Sequence, residues 1–231
     1  MSGQGKVAGV IGGMGPEATV EFLRRIVAAT PAADDADHIR ILVDNNPGIP
    51  SRIAALIEGT GADPAPVLCE MARGLERQGA DFLAVPCNTA HYYLPRIARA
   101  VSIPVLDMVG LAIEALPQVR AIGMLASPAV QKVGLYAARL ADAGHSALFP
   151  DAAGEGEMLG LIRAVKANAV TPAHLARYEA IACALERAGA EAFLIACTEL
   201  SVIGPPRGIL RPCIDALDEL VRATVRAAKP A

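Results

Sequence analysis

The sequence predicts an α/β protein of two similar lobes, each a parallel sheet flanked by helices. Three observations lead there. Apolar segments of strand length alternate along the chain with segments of helical period, the pattern of parallel strands joined by helices. A stretch of the first half returns in the second. Leu75-Glu76-Arg77-Gln78-Gly79-Ala80-Asp81 leads through Phe82-Leu83-Ala84-Val85-Pro86 to Cys87, and Leu185-Glu186-Arg187-Ala188-Gly189-Ala190-Glu191 leads through Ala192-Phe193-Leu194-Ile195-Ala196 to Cys197. The two cysteines are 110 residues apart in a chain of 231, so each half holds one copy. Finally, 53% apolar and 19% charged residues are ample for a buried core and argue against disorder. The expected lobes are residues 1–104 with 211–231, and residues 105–210.

Lys6 to Ile11 reads as the first strand, followed at once by Gly12-Gly13-Met14-Gly15-Pro16. Glu17 to Thr30 has helical period, with Val20, Leu23, Ile26 and Val27 on one face. The glycine turn is either an anion-accepting helix start with free N–H groups or a tight turn that needs glycine. It fits neither the dinucleotide fingerprint nor a Walker loop. Ile39 to Val43 is the second strand, and the two prolines and one glycine of Asp44–Arg52 preclude regular structure after it. Loops after strands are where open α/β sheets hold ligands. Arg52 there either grips a carboxylate with its forked donors or is a solvated helix-start residue. Gly59 to Pro66 is a turn-rich linker, and Val67 to Gln78 an amphipathic helix with Cys69 in the core. After the first repeat copy, Asn88-Thr89-Ala90-His91 open a helix reaching Val101. Ile103 to Asp107 is a strand, and Val109 to Leu116 a helix.

Val119 to Leu125 starts the series again. The turn Ala126-Ser127-Pro128, a helix from Ala129 to Gly144 and a weak strand, Ala147 to Phe149, follow. Gly154 to Lys166 reads as a loop entering a helix. Thr171-Pro172 opens the next helix as N-cap and first-turn proline, with Cys183 inward. Beyond the second copy Pro205-Pro206 breaks the chain, Ile209-Leu210-Arg211 is a last strand, and Ile214 to Ala228 closes as a helix with Leu217, Leu220 and Val221 inward. Cys213 reads as structural. The closing helix follows a second-half strand as Val109–Leu116 follows a first-half one, so the two are candidates to exchange lobes.

Composition excludes several classes. A net charge of −3, no basic tract, four Phe, four Tyr and no Trp disfavour nucleic-acid binding. No apolar run has the length of a membrane span, and residues 1–9 lack the pattern of a signal peptide, so the reading is a cytoplasmic protein with no membrane attachment. Five cysteines without a CxxC pair or a Cys/His cluster read as free thiols, with no spacing that supports a metal.

A cysteine between a strand end and a helix start is placed for reactivity, because the helix N-terminal partial charge favours the thiolate. One such cysteine would serve as a covalent nucleophile, with a partner histidine remote in sequence. A hydrolase needs only one thiol, however, and both halves keep one. Two thiols on similar lobes suit inversion of a stereocentre, where one group removes a proton from one face and the other delivers a proton to the opposite face. Asn88-Thr89 and Thr198-Glu199 bring amide, hydroxyl and carboxylate groups beside the thiols. Thr198 and Glu199 equally fit an N-cap and a first-turn acid. His91 reads as a supporting or helix-surface group.

At these residues the sequence resembles the cofactor-independent aspartate/glutamate racemase family. The matching motifs are Gly12-Gly13-Met14-Gly15-Pro16, Asn46-Pro47-Gly48-Ile49-Pro50-Ser51-Arg52, Pro86-Cys87-Asn88-Thr89-Ala90-His91 and Ala196-Cys197-Thr198-Glu199. The resemblance implies two pseudo-symmetric lobes with the active site in the cleft between them, a homodimer and no pyridoxal cofactor. It implies a small dicarboxylic amino acid as substrate, with Cys87 and Cys197 as the acid/base pair. It further implies Arg52 and Lys166 as carboxylate ligands, although the residues alone leave Lys166 equally as a surface lysine. Asn88 and Thr89 would hold the α-carboxylate, and Met14, Ala90, Thr198 and Glu199 would line the site. Two positions depart from the family pattern: Leu200-Ser201 stands where a proline often follows, and Ser127 where threonine is common. The expected activity is interconversion of L- and D-aspartate, with glutamate as a further candidate. The alternatives are a maleate-isomerase-like or other isomerase or lyase of the same superfamily, and a non-catalytic carboxylate-binding protein.

Overall fold

Each half of the chain builds the same kind of parallel sheet in the computed structural model, which describes residues 5–229. In chain order the elements are β1 (Ala8–Gly12), α1 (Pro16–Ala29), β2 (Ile41–Asn45), α2 (Ala65–Arg77), β3 (Phe82–Ala84), α3 (Leu94–Ala100) and α4 (Met108–Glu114). Then come β4 (Ala121–Ala126), α5 (Pro128–Lys132), α6 (Ala137–Asp142), β5 (Ser146–Leu148), α7 (Ala152–Lys166), α8 (Pro172–Arg187), β6 (Ala192–Ala196), α9 (Thr198–Ile203), β7 (Cys213–Asp215) and α10 (Ala216–Ala228). The first sheet has the order β2-β1-β3, and the second β5-β4-β6-β7, all parallel. A single bridge from Leu83 to Val105 extends the first sheet, so both follow one scheme. One compact unit comprises the chain up to Met108 and from Leu217 on; the other comprises Val109–Ala216.

The repeated stretches fold alike, and for the same reasons. Gly79 and Gly189 take φ of +95° and +104°, which a side chain would resist, and end α2 and α8. In both copies the glycine N–H returns to a carbonyl three residues back, and the next N–H to one five back: Gly79 to Glu76 and Ala80 to Leu75, Gly189 to Glu186 and Ala190 to Leu185. This double bond pattern satisfies the orphan carbonyls of the helix end. The acid two residues after each glycine then ties the chain to its neighbour strand. The Asp81 carboxylate accepts from the Val7 N–H at 2.6 Å, and Glu191 accepts from Arg120 and Ala121 at 2.8 and 3.1 Å.

Several expectations are corrected. The buried face of α1 is Ala18, Thr19, Phe22 and Ile26, whereas Val20 and Val27 are 65% and 54% exposed. Thr19 sets that rotation, since its hydroxyl accepts from the Gly13 N–H at 3.0 Å and donates to the Gly15 carbonyl. The helix expected over Ala129–Gly144 is two helices, because Gly134 adopts φ +63° after α5. The segment after Asn88 is a 3-10 turn, Thr89–Tyr93, followed by α3. The last strand is Cys213–Asp215; in the stretch expected to form it, Leu210 is 94% exposed. Cys69 and Cys183 are only partly buried, and none of the five cysteines is in a disulfide.

Gly13 has φ +94°, and a Cβ there would lie 2.3 Å from the Asn46 carbonyl oxygen. The first glycine turn therefore packs backbone to backbone on the loop after β2. Gly13→Ala is expected to destabilise the fold by roughly 1–3 kcal/mol or more, read as a lower urea midpoint. An unchanged midpoint would show that the loop yields freely.

Candidate active site

Parallel strands bring their C-terminal ends to one edge, so the first unit gathers the Met14 turn, the Arg52 loop and Cys87 at one edge of its sheet. Cys87 belongs to the buried cluster that includes Met14, Ile49, Met71, Ala90 and Tyr93. The side chains of Met14 and Ala90 are thus core, which leaves their main chain for a ligand. Pro86 has no N–H to continue the ladder, and the Cys87 N–H turns back to the Val85 carbonyl at 2.8 Å. Asn88 and Thr89 are buried beside it.

His91 is buried, contrary to a surface reading, and both its ring nitrogens are committed. Nδ1 lies 2.9 Å from the Cys87 carbonyl oxygen, and Nε2 is 3.1 Å from the Met108 nitrogen. The Met108 N–H makes Nε2 an acceptor, so the ring proton is on Nδ1 and is donated to Cys87 O. His91 in this tautomer is a neutral brace on the main chain of Cys87. Arg52 is buried rather than solvated. Its Nη1 donates to Pro50 O at 3.0 Å and approaches Ile49 O at 3.4 Å, while the other guanidinium donors have no partner among the described residues.

In the second unit the corresponding strand end carries a different environment. Cys197 is the N-cap of α9, and its Sγ donates to Glu199 Oε2 at 3.2 Å. The other oxygen, Oε1, is 3.2 Å from Lys166 Nζ. That contact is an ion pair by distance without hydrogen-bond alignment. Lys166 ends α7 and is half-exposed, whereas Glu199 is buried. Thr198 Oγ1 is buried and has no hydrogen-bond partner. The thiol is pushed well above its ordinary range, first by burial and then by the Glu199 carboxylate, with the Lys166 charge opposing weakly. The expected helix-start lowering is therefore overturned for Cys197. Desolvation and a like charge outweigh the partial charge of a helix of only six residues.

Three residues escaped the sequence reading. Ser201, at one of the departures from the family pattern, donates to Asp215 Oδ1 at 2.7 Å, and its Oγ lies 3.5 Å from Cys197 O. Tyr178 is buried with no hydrogen-bond partner for its hydroxyl, and its phenol is pushed well up by burial and then by Cys213, Asp215 and Cys197. Burial and Asp215 raise Cys213 to about 12. Ser201 stands at a departure from the family pattern and Cys213 reads only as structural, while Tyr178 lies on a helix whose pattern reads as core. Among the described residues no His/Cys/Asp/Glu group could hold a metal ion, and no helix is long and apolar enough to cross a membrane.

A sequence profile for the Asp/Glu/Hydantoin racemase family matches residues 11–224. The chain belongs to this family. It is an enzyme of the isomerase class, a racemase. It is 31% identical to a Picrophilus torridus aspartate racemase, with a TM-score of 0.87 covering 97% of this chain and 94% of that one. The broad specificity amino-acid racemase RacX of Bacillus subtilis is 27% identical over 94% of this chain and 96% of its own length. A glutamate racemase, RacE1 of Bacillus anthracis, shares the fold at 15% identity, with a TM-score of 0.68 over 98% and 84% of the two chains.

The Cys197 environment gives this racemase a testable pH dependence. Alkylation of Cys197 by iodoacetamide, located by peptide mass spectrometry, is expected to rise only above the pH range of an ordinary thiol. Glu199→Gln removes a negative charge and is expected to move that profile to lower pH. A profile that stays in place would leave burial as the sole cause.

Proposed function

We propose that the chain is a cofactor-independent racemase that interconverts L- and D-aspartate, with glutamate as a further substrate. The observation that carries this reading is one buried thiol at the matched strand end of each unit, Cys87 after β3 and Cys197 after β6. Likeness to the Picrophilus protein, named an aspartate racemase, favours the substrate. Both thiols must reach one Cα for the mechanism to work.

In this reading a thiolate removes the Cα proton, and the electron pair passes toward the α-carboxylate. The opposite thiol then protonates Cα from the other face. Cys197, whose S–H is held by Glu199, starts as the donor, and Cys87 as the acceptor. In the other direction Cys197 must lose its proton, and Glu199 Oε2 is in place to receive it. Arg52 offers its uncommitted donors to one substrate carboxylate, and Lys166 its ammonium to the other. Asn88, Thr89 and Thr198 supply neutral donors beside the thiols, and the main chain at Met14 and Ala90 lines the site. A homodimer in the cytoplasm completes the reading.

A second reading is a wider amino-acid range. It is favoured by likeness to RacX, named a broad specificity amino-acid racemase, and by Lys166 already having an anionic partner in Glu199. A side-chain carboxylate on the substrate is then not required to balance that lysine.

Loss of the Cα–H signal in D₂O, followed by NMR together with chirality, is expected with L- and D-aspartate. Folded protein that exchanges neither aspartate nor glutamate would sink the aspartate/glutamate reading, and exchange with neutral amino acids at the same rate would favour the wider range. Cys87→Ser and Cys197→Ser are each expected to lower two-way racemisation by roughly 10²–10⁴-fold. Full activity in either variant would show that one thiol suffices. Arg52→Gln is expected to raise KM for aspartate about tenfold or more, through loss of a charge-assisted hydrogen bond. An unchanged KM would remove Arg52 from the site.

A further inference from the structure

A cavity of about 270 Å³ lies within the second unit and contains none of Cys197, Thr198, Glu199 or Lys166 in its lining. Its walls include Leu175, Tyr178 and Glu179 from α8, and Ile203, Pro205 and Arg207 from the end of α9 and the loop beyond. The walls are mostly apolar, yet they carry one acid and one arginine. Neither Glu179 nor Arg207 has an ion pair or hydrogen bond among the described residues. The third polar group, the Tyr178 hydroxyl, is buried and without a partner.

We propose that this cavity binds an α-amino acid with an apolar side chain and that the bound ligand acts on the thiol end of α9. A zwitterion meets both uncommitted charges at once, its carboxylate on Arg207 and its ammonium on Glu179. The apolar side chain fits against Leu175, Ile203 and Pro205. A dicarboxylate fits worse, because Glu179 repels its second charge. A neutral hydrocarbon would leave both charges unused.

The route to the thiol is short. Helix α9 runs from its Cys197 cap to Ile203 and Gly204, both on the cavity wall. A ligand pressing on Ile203 therefore touches the same six-residue helix that carries Thr198 and Glu199. Tyr178 offers a second contact, since it lines the cavity while its hydroxyl lies within electrostatic reach of Cys197, Cys213 and Asp215. A buried hydroxyl without a partner is unfavourable, and a small shift of the ring toward Asp215 or Cys197 would relieve it. The other charged group near the thiol is Lys166 from α7. The binding half of this inference stands by itself; the coupling half rests on the role proposed for Cys197.

The test uses the full chain and L-leucine, with 4-methylpentanoate and 3-methylbutylamine as probes that each lack one charge. Calorimetry is expected to show saturable leucine binding, with either probe weaker by about tenfold or more. Arg207→Ala and Glu179→Ala are expected to weaken leucine by a similar factor. Ala176→Phe, which fills the cavity from its α8 wall, should do so by sterics. In all three variants aspartate Cα exchange without leucine stays at the wild-type rate. Leucine binding that survives all three substitutions, or no saturable binding at all, would overturn the site. Coupling is read from Cys197 alkylation, which leucine is expected to change in the wild type and not in Arg207→Ala. Binding with unchanged alkylation would overturn the coupling alone. Both measurements need no turnover, so their failure is distinct from failure of the racemase reading.

Discussion

Where each thiol stands is decided several residues earlier, at the glycine that ends the preceding helix. Gly79 and Gly189 reverse the chain, the paired N–H bonds fix its exit, and the carboxylates of Asp81 and Glu191 seat the following segment against β1 and β4. Side chains alternate along a strand with period two, so a slip of one residue would turn every side chain to the opposite face. The short β3 of three residues has little ladder of its own with which to resist such a slip. The cap and the acid supply that register from outside the strand. The cysteine, its polar neighbours and the helix that follows all inherit their positions from it.

Among the differences between the two copies, the residue before each cysteine redirects the chain. Pro86 precedes the first cysteine and Ala196 the second. Without an N–H at Pro86 the ladder stops early, and Cys87 enters a tight turn braced by neutral His91. With Ala196 still paired to Ala126, β6 runs to the cysteine and delivers it as the cap of α9. That cap faces Glu199, so Cys197 holds its proton against a carboxylate. The duplication thus supplies matched positions, and the local sequence gives the two thiols unlike neighbours, His91 on the main chain of Cys87 and Glu199 on the sulfur of Cys197.

The fold was legible because its signals are local and repeated: strand-length apolar runs, the two Leu-Glu-Arg…Gly-Ala stretches, and the Thr171-Pro172 cap, whose hydroxyl accepts from His174 N. The errors fall where tertiary contacts override local pattern. A hydrogen bond from Gly13 to Thr19 turns α1 away from its aliphatic face toward Phe22. Exposed Leu210 has the apolar character of a strand residue, but the β6 edge pairs with Cys213–Asp215, which has too short a pattern to announce itself. At the candidate site, a motif singled out Cys197 and Glu199 and the resemblance implied Lys166, but neither told that the three form one chain of contacts. Tyr178 was invisible for the same reason, since an inward tyrosine in a helix reads as packing until its hydroxyl is found without a partner.

That chain of contacts also explains why burial, and not the helix start, governs the second thiol. A buried carboxylate is tolerated when its oxygens are paired, and Glu199 has Lys166 on one oxygen and the Cys197 S–H on the other. The ammonium, half in water, is screened, so it balances the carboxylate without reversing its effect on the sulfur. Removing the thiol proton would place two negative charges side by side in a dry setting. The proton therefore stays on sulfur beside the Glu199 carboxylate. A thiol held in this way is a poor nucleophile, because burial and the Glu199 carboxylate both favour its protonated form.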